Sequence, residues 1–373
     1  MRRSRHNHSA TFKEESLGDN VFSENRLPSI SIIMAVYQGE NYLHKCINSV
    51  LDQEFVNFEF IIIDDTSTDA TPSVIKSYND PRIIYIRNNT NIGQTRSLNI
   101  GLGYAKAPLI ARIDADDSWH PSKLELQMKF LEMHEKITVL GTFANRLNTK
   151  GLITGRRTYP LTESDIKTTL LRTVPVCHVS VVMRKQAILD VGCYPERYRT
   201  VADYALWSAL VNAGYLITNL PEYLTTYMED MGTFGAKSFV ERESWEGAEI
   251  LQLNAQNFSS IRLNLDECRN ILVSLFPEAG LTSSAICDAY INSTRLQSAI
   301  ETALPAHFQV WKVLVAGLLK KWRFDRTNVA DLLEDIGTLA CRYKRIDVML
   351  ALIMSATLLL LGYSQLKKIR NLI

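Results

Sequence analysis

Apolar runs alternate with amphipathic stretches along the chain from about Pro28 onward. The runs SISIIMAV, FEFIIIDD, RIIYIRN and PLIARID are continuous and rich in β-branched residues, as expected of strands that are covered on both faces. After the first run, apolar residues from Tyr42 to Leu51 recur at helical spacing. Strands separated by helices indicate βαβ units. The pattern therefore predicts an α/β fold with a mostly parallel sheet flanked by helices.

The strand signals stop beyond about Gly232, and the rest of the chain has helical periodicity. A chain of 373 residues is long for one domain, so more than one unit is expected. The first residues are polar and lack the apolar segment of a secretory signal, which predicts a disordered arm. The predicted divisions are an N-terminal arm 1–27, an α/β domain 28–231, a helical accessory region 232–345 and an apolar C-terminal helix 346–366.

Two C-terminal stretches raise the question of membrane contact. The run VMLALIMSATLLLLGY, Val348 to Tyr363, is apolar on all sides and has basic residues on both flanks. It is shorter than the roughly 20 residues that span a bilayer, so it would span or lie in the interface, with a buried core helix as the alternative. The stretch 305–324 is apolar and ends in basic residues, and it would lie on an anionic membrane or pack on the body. We expect membrane association.

Composition narrows the classes of partner and chemistry. A net charge of +1 and a pI near 7.6 provide no electrostatic footprint for nucleic acid. The 6 cysteines show neither CxxC spacing nor a dense framework, which fits reduced thiols in a cytosolic protein better than disulfides or zinc. These observations direct attention to a small-molecule site.

Polar residues follow the predicted strands at the points where the strands end. Tyr37 follows the first strand, Asp64 and Asp65 follow the second, and the acid-rich stretch ARIDADDSWHP contains the end of the fourth. The carboxyl ends of strands in an open α/β sheet line the ligand crevice. Helix capping accounts for one of the three aspartates in that stretch, and the others would repel one another without a cation. Hard oxygen ligands of this kind suit Mg²⁺ or Mn²⁺.

The chain lacks the usual backbone phosphate sites. No GxGxxG follows the first strand, where the sequence reads AVYQGENYL, and no GxxxxGK[ST] loop is present. A metal would then neutralise a diphosphate. This combination is typical of a nucleotide-sugar diphosphate whose leaving group is stabilised by a metal on a D-x-D motif.

Several ordered blocks carry a family resemblance. SIIMAVYQGENYLHKCINSVLDQ, FEFIIIDDTSTDAT and NIGQTRSLNIGLGYAKAPLIARIDADDSWHPSKLELQ resemble successive blocks of glycosyltransferase family 2, the inverting transferases of the GT-A (nucleotide-diphospho-sugar transferase) fold. The resemblance implies that Val36 and Tyr37 pack against the nucleotide base. It also implies that Asp65 reads that base, with Asp64 as the neighbouring candidate.

The D-x-D block has its own implied roles. Asp114 resembles the residue near the ribose and Asp116 the residue that binds Mn²⁺ or Mg²⁺, with Asp114 as a second metal candidate. Asp117 would orient its neighbours or cap the next helix. Arg96 would face the diphosphate or form an ordinary surface pair.

A later block, CHVSVVMRKQAILDVGCYPERYRTVADYALWSALVNAG, resembles the acceptor side of the same family. The family pattern E-D-y-D-l-W reads A-D-Y-A-L-W here, so the flanking acids are missing while Asp203 keeps the position of the catalytic base. Its alternatives are a surface acid or a helix cap. His178 would bind acceptor or metal, or be an ordinary core histidine. Trp207 would pack under the site, with sugar stacking as the sharper alternative.

The resemblance implies an inverting, metal-dependent glycosyltransferase that uses a UDP- or dTDP-sugar and a glycan acceptor. By analogy, the acceptor is lipid-linked, as in capsule, O-antigen or exopolysaccharide synthesis at the cytoplasmic face of the inner membrane. A nucleotidyltransferase of the same fold is an alternative, but it would need a Gly-rich basic loop after the first strand. A non-catalytic nucleotide-sugar-binding protein is another, and it would lose Asp203.

Overall fold

A computed structural model describes residues 27–198, 200–228, 244–259 and 261–273, together with positions 289, 292, 293 and 296. The predicted N-terminal arm, apart from Leu27, lies outside these residues. The stretch 305–324 and the predicted C-terminal helix 346–366 also lie outside them. The predicted domain boundaries therefore stay predictions.

The first half of the sheet consists of four parallel strands, as the hydrophobic pattern predicts. In the spatial order β3–β2–β1–β4, every residue of β1, β2 and β4 is buried, which explains why these runs lack polar alternation. The elements of this half are β1 Ile30–Val36, α1 Leu43–Leu51, β2 Phe58–Asp64, α2 Thr71–Lys76, β3 Ile83–Arg87, α3 Gln94–Tyr104 and β4 Leu109–Arg112.

The second half of the sheet is mixed, and most of its strands lie in segments where the hydrophobic pattern gives no clear signal. The order continues from β4 as β8–β6–β9–β5, with β7 paired to β6. Strand β8 is antiparallel to both neighbours, whereas β6 and β9 are parallel. The elements are β5 Ser118–Trp119, α4 Lys123–Met133, β6 Ile137–Leu147, β7 Ile153–Arg157, α5 Glu163–Leu170, a 3-10 turn His178–Ser180, β8 Val182–Arg184, α6 Lys185–Asp190, α7 Ala202–Asn212 and β9 Leu216–Met228.

The sheet separates two buried layers. Ile33 and its face pack against α3, α6 and α7, and Ile32 with the opposite face packs against α1 and α4. Because successive residues of a strand point to opposite faces, one continuous apolar run supplies both layers. This arrangement holds the carboxyl ends of β1, β2 and β4 at one edge of the sheet.

Two helices, α8 Ser244–Ser259 and α9 Leu265–Val273, lie in the predicted helical region 232–345. Asn254 of α8 joins them to the sheet domain, since its Nδ2 donates to the backbone oxygen of Leu170 at 3.1 Å and to Ser208 Oγ at 2.9 Å. Within the described ranges, no helix combines the length and the apolar character needed to cross a bilayer.

Candidate active site

A cavity of about 990 Å³ opens at the carboxyl ends of β1, β2 and β4. Its other wall comes from the 3-10 turn, from the first turn of α7 and from the ends of β7 and β9. The cavity brings together seven of the predicted site residues, namely Val36, Tyr37, Asp65, Asp114, Asp116, His178 and Asp203. Three others, Asp64, Arg96 and Trp207, do not line it.

Gln38 joins the loops after β1 and β2 into one wall. Its backbone N–H donates to Ser67 Oγ at 3.0 Å, and its Oε1 accepts from the N–H groups of Thr68 and Asp69 at 3.0 and 3.1 Å. Both loops contain a non-glycine residue in the left-handed region, Gln38 at φ 56° and Thr66 at φ 70°. Such conformations cost about 1–3 kcal/mol and persist only where surrounding contacts hold them. Hydrogen bonds between the two loops therefore hold this wall together.

Asp65 faces the cavity and also organises the loop between β3 and α3. Its Oδ1 accepts from Asn88 Nδ2 at 2.8 Å and from the N–H of Ile92 at 2.9 Å, while its Oδ2 accepts from the N–H of Gly93 at 2.8 Å. A carboxylate offers about four lone-pair positions, so Oδ2 retains one for a ligand donor. Tyr37, which is 54% exposed, lies on the same wall.

Asp64 has a structural environment instead. It is fully buried, accepts from the N–H of Ser67 and from the Tyr85 hydroxyl at 2.8 Å each, and lies 3.5 Å from Arg87 Nη1. The neighbouring candidate for reading the base therefore stabilises the end of β2 and does not reach the cavity.

Asp114 is clamped by two donors. Arg112 Nη2 donates to its Oδ1 at 2.5 Å, and Gln94 Nε2 donates to the same oxygen at 2.9 Å. Its side chain is 27% exposed, compared with 3% for Arg112. The first aspartate of the D-x-D is thus fixed between β4 and the start of α3.

Negative charge accumulates at the turn that follows β4. Burial raises the pKa of Asp117 well above its usual range, and the carboxylates of Asp114 and Asp116 add to that rise. Burial and the same three carboxylates raise the pKa of the Cys46 thiol, which donates to the backbone oxygen of Asp114 at 3.2 Å. Asp117 also accepts from the N–H of Met228 at 3.0 Å, so it orients the end of β9 rather than capping α4.

The residues around Asp116 bear on the metal that the family resemblance implies. Within the described part of the chain, no group of three or more His, Cys, Asp or Glu side chains could hold a metal ion by itself. Mg²⁺ and related cations, however, typically take one or two carboxylates and complete their coordination with water and substrate phosphates. Asp116 lines the cavity beside the clamped Asp114, in the region of excess negative charge. The residues therefore fit a cation held by Asp116, with Asp114 as the second candidate ligand.

Asp203 lies in the first turn of α7, on the other wall. Burial raises the pKa of its carboxyl, while the N–H of Tyr204 at 2.7 Å and the positive charge of Arg112 oppose that rise. The helix N-terminus also favours the ionised form. A carboxylate whose pKa moves from the acidic range toward neutral is a better proton acceptor.

His178, in the 3-10 turn, lines the same cavity as Asp203, and the residue is half-buried. Its Nε2 lies 2.8 Å from the Tyr194 hydroxyl, and its ring meets Trp207 edge-on with centroids 5.8 Å apart. Burial lowers the pKa of His178 well below its usual range, and Arg112 lowers it further, so the imidazole is neutral at pH 7. Trp207 is fully buried and packs beneath His178, which leaves no face for sugar stacking.

Arg112 is a central residue of the cavity that sequence analysis misses. It is 2% exposed, lines the cavity and has a buried Nε without a hydrogen-bond partner. Its charge lowers the pKa of both Asp203 and His178, so one guanidinium acts on the two walls. The sequence signal that could have identified it is a lone arginine inside the apolar run PLIARID. A charge buried in such a strand requires a partner nearby, which here is an acid of the site.

A second missed group lines the wall that the 3-10 turn, α7, β7 and β9 form. Arg157 and Tyr159 come from β7 and the segment after it, and the guanidinium carbon of Arg157 lies 5.2 Å from the Tyr159 ring centroid. Burial raises the pKa of Cys177 to about 11, so this lining thiol is protonated at neutral pH. No sequence periodicity singles out these residues.

Arg96 lies at the surface. Its Nε is 3.0 Å from Glu196 Oε2, and the two side chains are 58% and 48% exposed. Arg96 therefore forms the ordinary surface pair that the sequence analysis gave as the alternative, and its contact with a diphosphate stays a prediction.

Comparison with known proteins identifies the family. The sequence profile described as Glycosyl transferase family 2 matches residues 31–192. The chain is 36% identical over 218 residues to EpsE from Bacillus subtilis (strain 168), a match that covers 57% of this chain and 77% of EpsE. The chain belongs to glycosyltransferase family 2. This family 2 chain is also 31% identical over 214 residues to the UDP-Glc:alpha-D-GlcNAc-diphosphoundecaprenol beta-1,3-glucosyltransferase WfaP from Escherichia coli, covering 57% of this chain and 82% of WfaP.

Solved structures share the fold of this family 2 glycosyltransferase. S. aureus TarS 1–349 in complex with UDP-GlcNAc superposes with a TM-score of 0.53 at 18% identity, covering 79% of this chain and 88% of TarS 1–349. At this identity the likeness establishes the fold alone. The predicted α/β GT-A fold is confirmed.

Proposed function

We propose that this family 2 glycosyltransferase is inverting and metal-dependent, and that it moves a sugar from a UDP- or dTDP-sugar to a hydroxyl of a glycan acceptor. One observation carries the proposal: Asp116 and Asp203 line the two walls of a single cavity. Inversion requires the acceptor hydroxyl and the departing diphosphate on opposite faces of the anomeric carbon, which two separate carboxylates serve.

The donor would occupy the wall formed by the ends of β1, β2 and β4 (the donor wall). Val36 and Tyr37 would pack against the base, Asp65 would accept a base hydrogen bond on its remaining Oδ2 position, and Asp114 would bind the ribose. When bound on Asp116, Mn²⁺ or Mg²⁺ would neutralise the charge of the departing diphosphate. The hydrogen bonds already made by Asp65 and Asp114 support this assignment, because they orient both carboxylates before the donor arrives.

Asp203, on the wall formed by the 3-10 turn, α7, β7 and β9 (the acceptor wall), would act as the general base. It accepts the proton of the acceptor hydroxyl as that oxygen bonds to the anomeric carbon, and the bond between this carbon and the diphosphate oxygen breaks with both electrons leaving on the nucleoside diphosphate. No enzyme nucleophile is needed. The raised pKa of Asp203 supports this role, and the neutral His178, which lines the same cavity, would orient the acceptor through a hydrogen bond.

The acceptor would be a lipid-linked glycan used in capsule, O-antigen or exopolysaccharide synthesis. Support comes from WfaP, whose name describes a diphosphoundecaprenol-linked acceptor and to which this chain is 31% identical. The enzyme would then work at the cytoplasmic face of the inner membrane. The segment 346–366 would contribute a peripheral contact or an anchor, beyond the accessory region 232–345 and the transferase domain 28–231.

A donor panel tests the proposal. Thermal shifts and product formation would be measured for UDP-, dTDP- and GDP-sugars with Mn²⁺, with Mg²⁺ and with chelator. We expect stabilisation by a uridine or thymidine diphosphate sugar plus metal, together with transfer to a glycan that inverts the anomeric centre. Stabilisation without hydrolysis or transfer would identify a non-catalytic binding protein, and release of pyrophosphate from a nucleoside triphosphate would identify a nucleotidyltransferase. Either result would overturn the proposal, as would the absence of any stabilisation.

A further inference from the structure

The hairpin formed by the end of β6 and by β7, residues 145–159, differs in charge from the rest of the chain. Its sequence NRLNTKGLITGRRTY contains four basic residues and no acid, whereas the whole chain has 41 basic and 40 acidic residues. The basic residues are Arg146, Lys150, Arg156 and Arg157. The hairpin is therefore a local concentration of positive charge on a nearly neutral protein.

The tip of this hairpin presents two adjacent aliphatic side chains to solvent. Leu152 and Ile153 are each 62% exposed. The turn holds them outward: Asn148 Oδ1 accepts from the N–H groups of Lys150 and Leu152 at 3.0 Å each, and the N–H of Asn148 donates to the backbone oxygen of Leu152 at 3.0 Å. Gly151 supplies the left-handed residue of the turn, at φ 74°. The exposed apolar pair is thus a defined feature of the turn.

The same hairpin leads directly into the cavity. Strand β7 runs from Ile153 to Arg157, and Arg157 and Tyr159 line the acceptor wall. At a rise of about 3.3 Å per residue, Arg157 lies roughly 13 Å along the strand from the tip. Arg156, on the adjacent position, holds its guanidinium carbon 4.8 Å from the ring centroid of Tyr223. Whatever the tip binds is therefore held close to the cavity.

Protection of a sheet edge explains only part of this surface. Within the described residues, β7 pairs with β6 alone, and basic residues often protect such edge strands from unwanted pairing. Protection does not account for Leu152 and Ile153, since exposed aliphatic residues at an edge favour association. Aliphatic residues flanked by lysine and arginine are instead the composition that inserts into the interface of an anionic bilayer.

We propose that the tip of the β6–β7 hairpin is a docking surface for anionic lipid. Leu152 and Ile153 enter the headgroup region, and Lys150 and Arg156 contact lipid phosphates. The consequence for catalysis rests on the proposed function: the docked hairpin turns the acceptor wall toward the membrane, where a lipid-linked glycan presents its hydroxyl. This contact is separate from any contact made by segment 346–366.

Fluorescence quenching tests the contact at the tip itself. The full chain carrying Leu152→Trp would be mixed with vesicles of phosphatidylglycerol and brominated phosphatidylcholine, and the emission would be compared with that of the parent chain. Met133→Trp is the matched control, because Met133 is 73% exposed and lies before β6, at the end of that strand opposite the hairpin. We expect quenching for Leu152→Trp beyond that of Met133→Trp, and little quenching in vesicles without anionic lipid.

Removal of the basic charges of the hairpin is the second part of the quenching experiment. In the Leu152→Trp chain, adding Lys150→Gln and Arg156→Gln should raise the lipid concentration for half-maximal quenching about 30-fold, since each basic residue near an anionic surface contributes roughly a fivefold gain. Quenching of Leu152→Trp no greater than that of Met133→Trp would overturn the proposal, however much of the whole chain sediments with vesicles. Protection of the tip by self-association, detected as a dimer in sedimentation without quenching, would overturn it as well. Neither result depends on transfer activity, so failure here is distinguishable from failure of the proposed function.

Discussion

The two walls of the cavity are organised by different forces. On the donor wall, Asp65 and Asp114 are held by hydrogen bonds from neighbouring loops and from Gln94. On the acceptor wall, Asp203 receives the N–H of Tyr204, and burial shifts the pKa values of Asp203 and His178 in opposite directions. Under the proposed function, the donor wall would be shaped for geometry, whereas the acceptor wall would be tuned for proton transfer.

Arg112 connects the two walls. It forms a direct ion pair with Asp114 on the donor side and lowers the pKa of Asp203 on the acceptor side. A single buried cation thus contributes to geometry on one wall and to proton affinity on the other. Substitutions on each wall, and at Arg112 between them, separate these contributions.

The largest expected effect is on turnover and donor binding, when one aspartate of either wall is replaced by asparagine. Asp203→Asn should lower kcat by about 10²- to 10⁴-fold, because general-base catalysis contributes that much, while leaving the donor Kd unchanged. Asp116→Asn should weaken metal-dependent donor binding as well as turnover. Initial rates and calorimetric donor titrations with and without metal measure both. Asp190→Asn, at the end of α6, is a carboxylate control that should change neither, and loss of donor binding in Asp203→Asn would refute the division between the walls.

Replacing Arg112 should change both the free energy of unfolding and the pH profile of kcat. Arg112→Met should lower the free energy of unfolding by about 3 kcal/mol, because it leaves the partner carboxylate of a buried pair uncompensated. Since Arg112 lowers the pKa of Asp203, its removal should move the acidic limb of the kcat profile to higher pH. Urea unfolding and rate measurements across pH check the two effects.

Arg112→Lys is the matched variant for that experiment. It keeps the positive charge but loses the planar guanidinium, so the acidic limb should stay near that of the parent while part of the stability is lost. An acidic limb that is the same in the methionine and lysine variants would show that Arg112 acts through packing alone.

His178 should make stability depend on pH on the acceptor wall. Its folded pKa lies well below the unfolded value, so the unfolded chain binds the proton first and stability falls as pH decreases below about 6.5. The slope contributed by one such group reaches about 1.4 kcal/mol per pH unit. The free energy of unfolding, measured by urea between pH 7 and 5, should have this slope in the parent chain. The slope should be absent in His178→Gln. His134→Gln, at an exposed histidine, should retain the slope, and equal slopes in the two variants would contradict the assignment.

The smallest effect concerns the turn that carries Tyr194 to His178. Cys193 adopts φ 66°, a left-handed conformation that costs a non-glycine residue roughly 1–2 kcal/mol. Cys193→Gly should therefore stabilise the protein by about 0.5–1 kcal/mol, the gain being reduced by the entropy of an added glycine. Thermal unfolding measures it. Gly192→Ala is the opposite control, because Gly192 has φ 88° and open space around a new Cβ, so strain alone should lower the melting temperature.

The presence of the donor-wall acids in the cavity was largely predictable, because its signals are local. Asp65, Asp114 and Asp116 stand at or just after the end of an apolar run, and parallel strands bring such positions to one edge. Local pattern failed to separate Asp64 from Asp65, since β2 is buried on both faces and its polar neighbours give no inward or outward bias. Local pattern also gave no direction for Arg96, which pairs with Glu196 at the surface because of how α3 packs.

The acceptor wall was predictable only where a family block matched. Asp203 and His178 stand in such a block, whereas Arg157 and Tyr159 follow from the hairpin of β6 and β7. Strands β6 and β9 pair in parallel with register shifts, which blur the alternation that identifies a strand. The C-terminal prediction, segment 346–366, lies outside the described residues and stays a prediction.

The sequence by itself determined the parallel strands β1 to β4, the acids at their carboxyl ends and the family, because each depends on short-range patterns of side-chain type. Only the tertiary structure decided that Asp203 shares a cavity with Asp116, and that Arg112 lies buried between the walls. The physical reason is the strand order β4–β8–β6–β9, which is not the order along the chain. Packing and the pairing of buried charges select the contacts between strands that are distant in the sequence. Local hydrophobic periodicity does not predict these contacts.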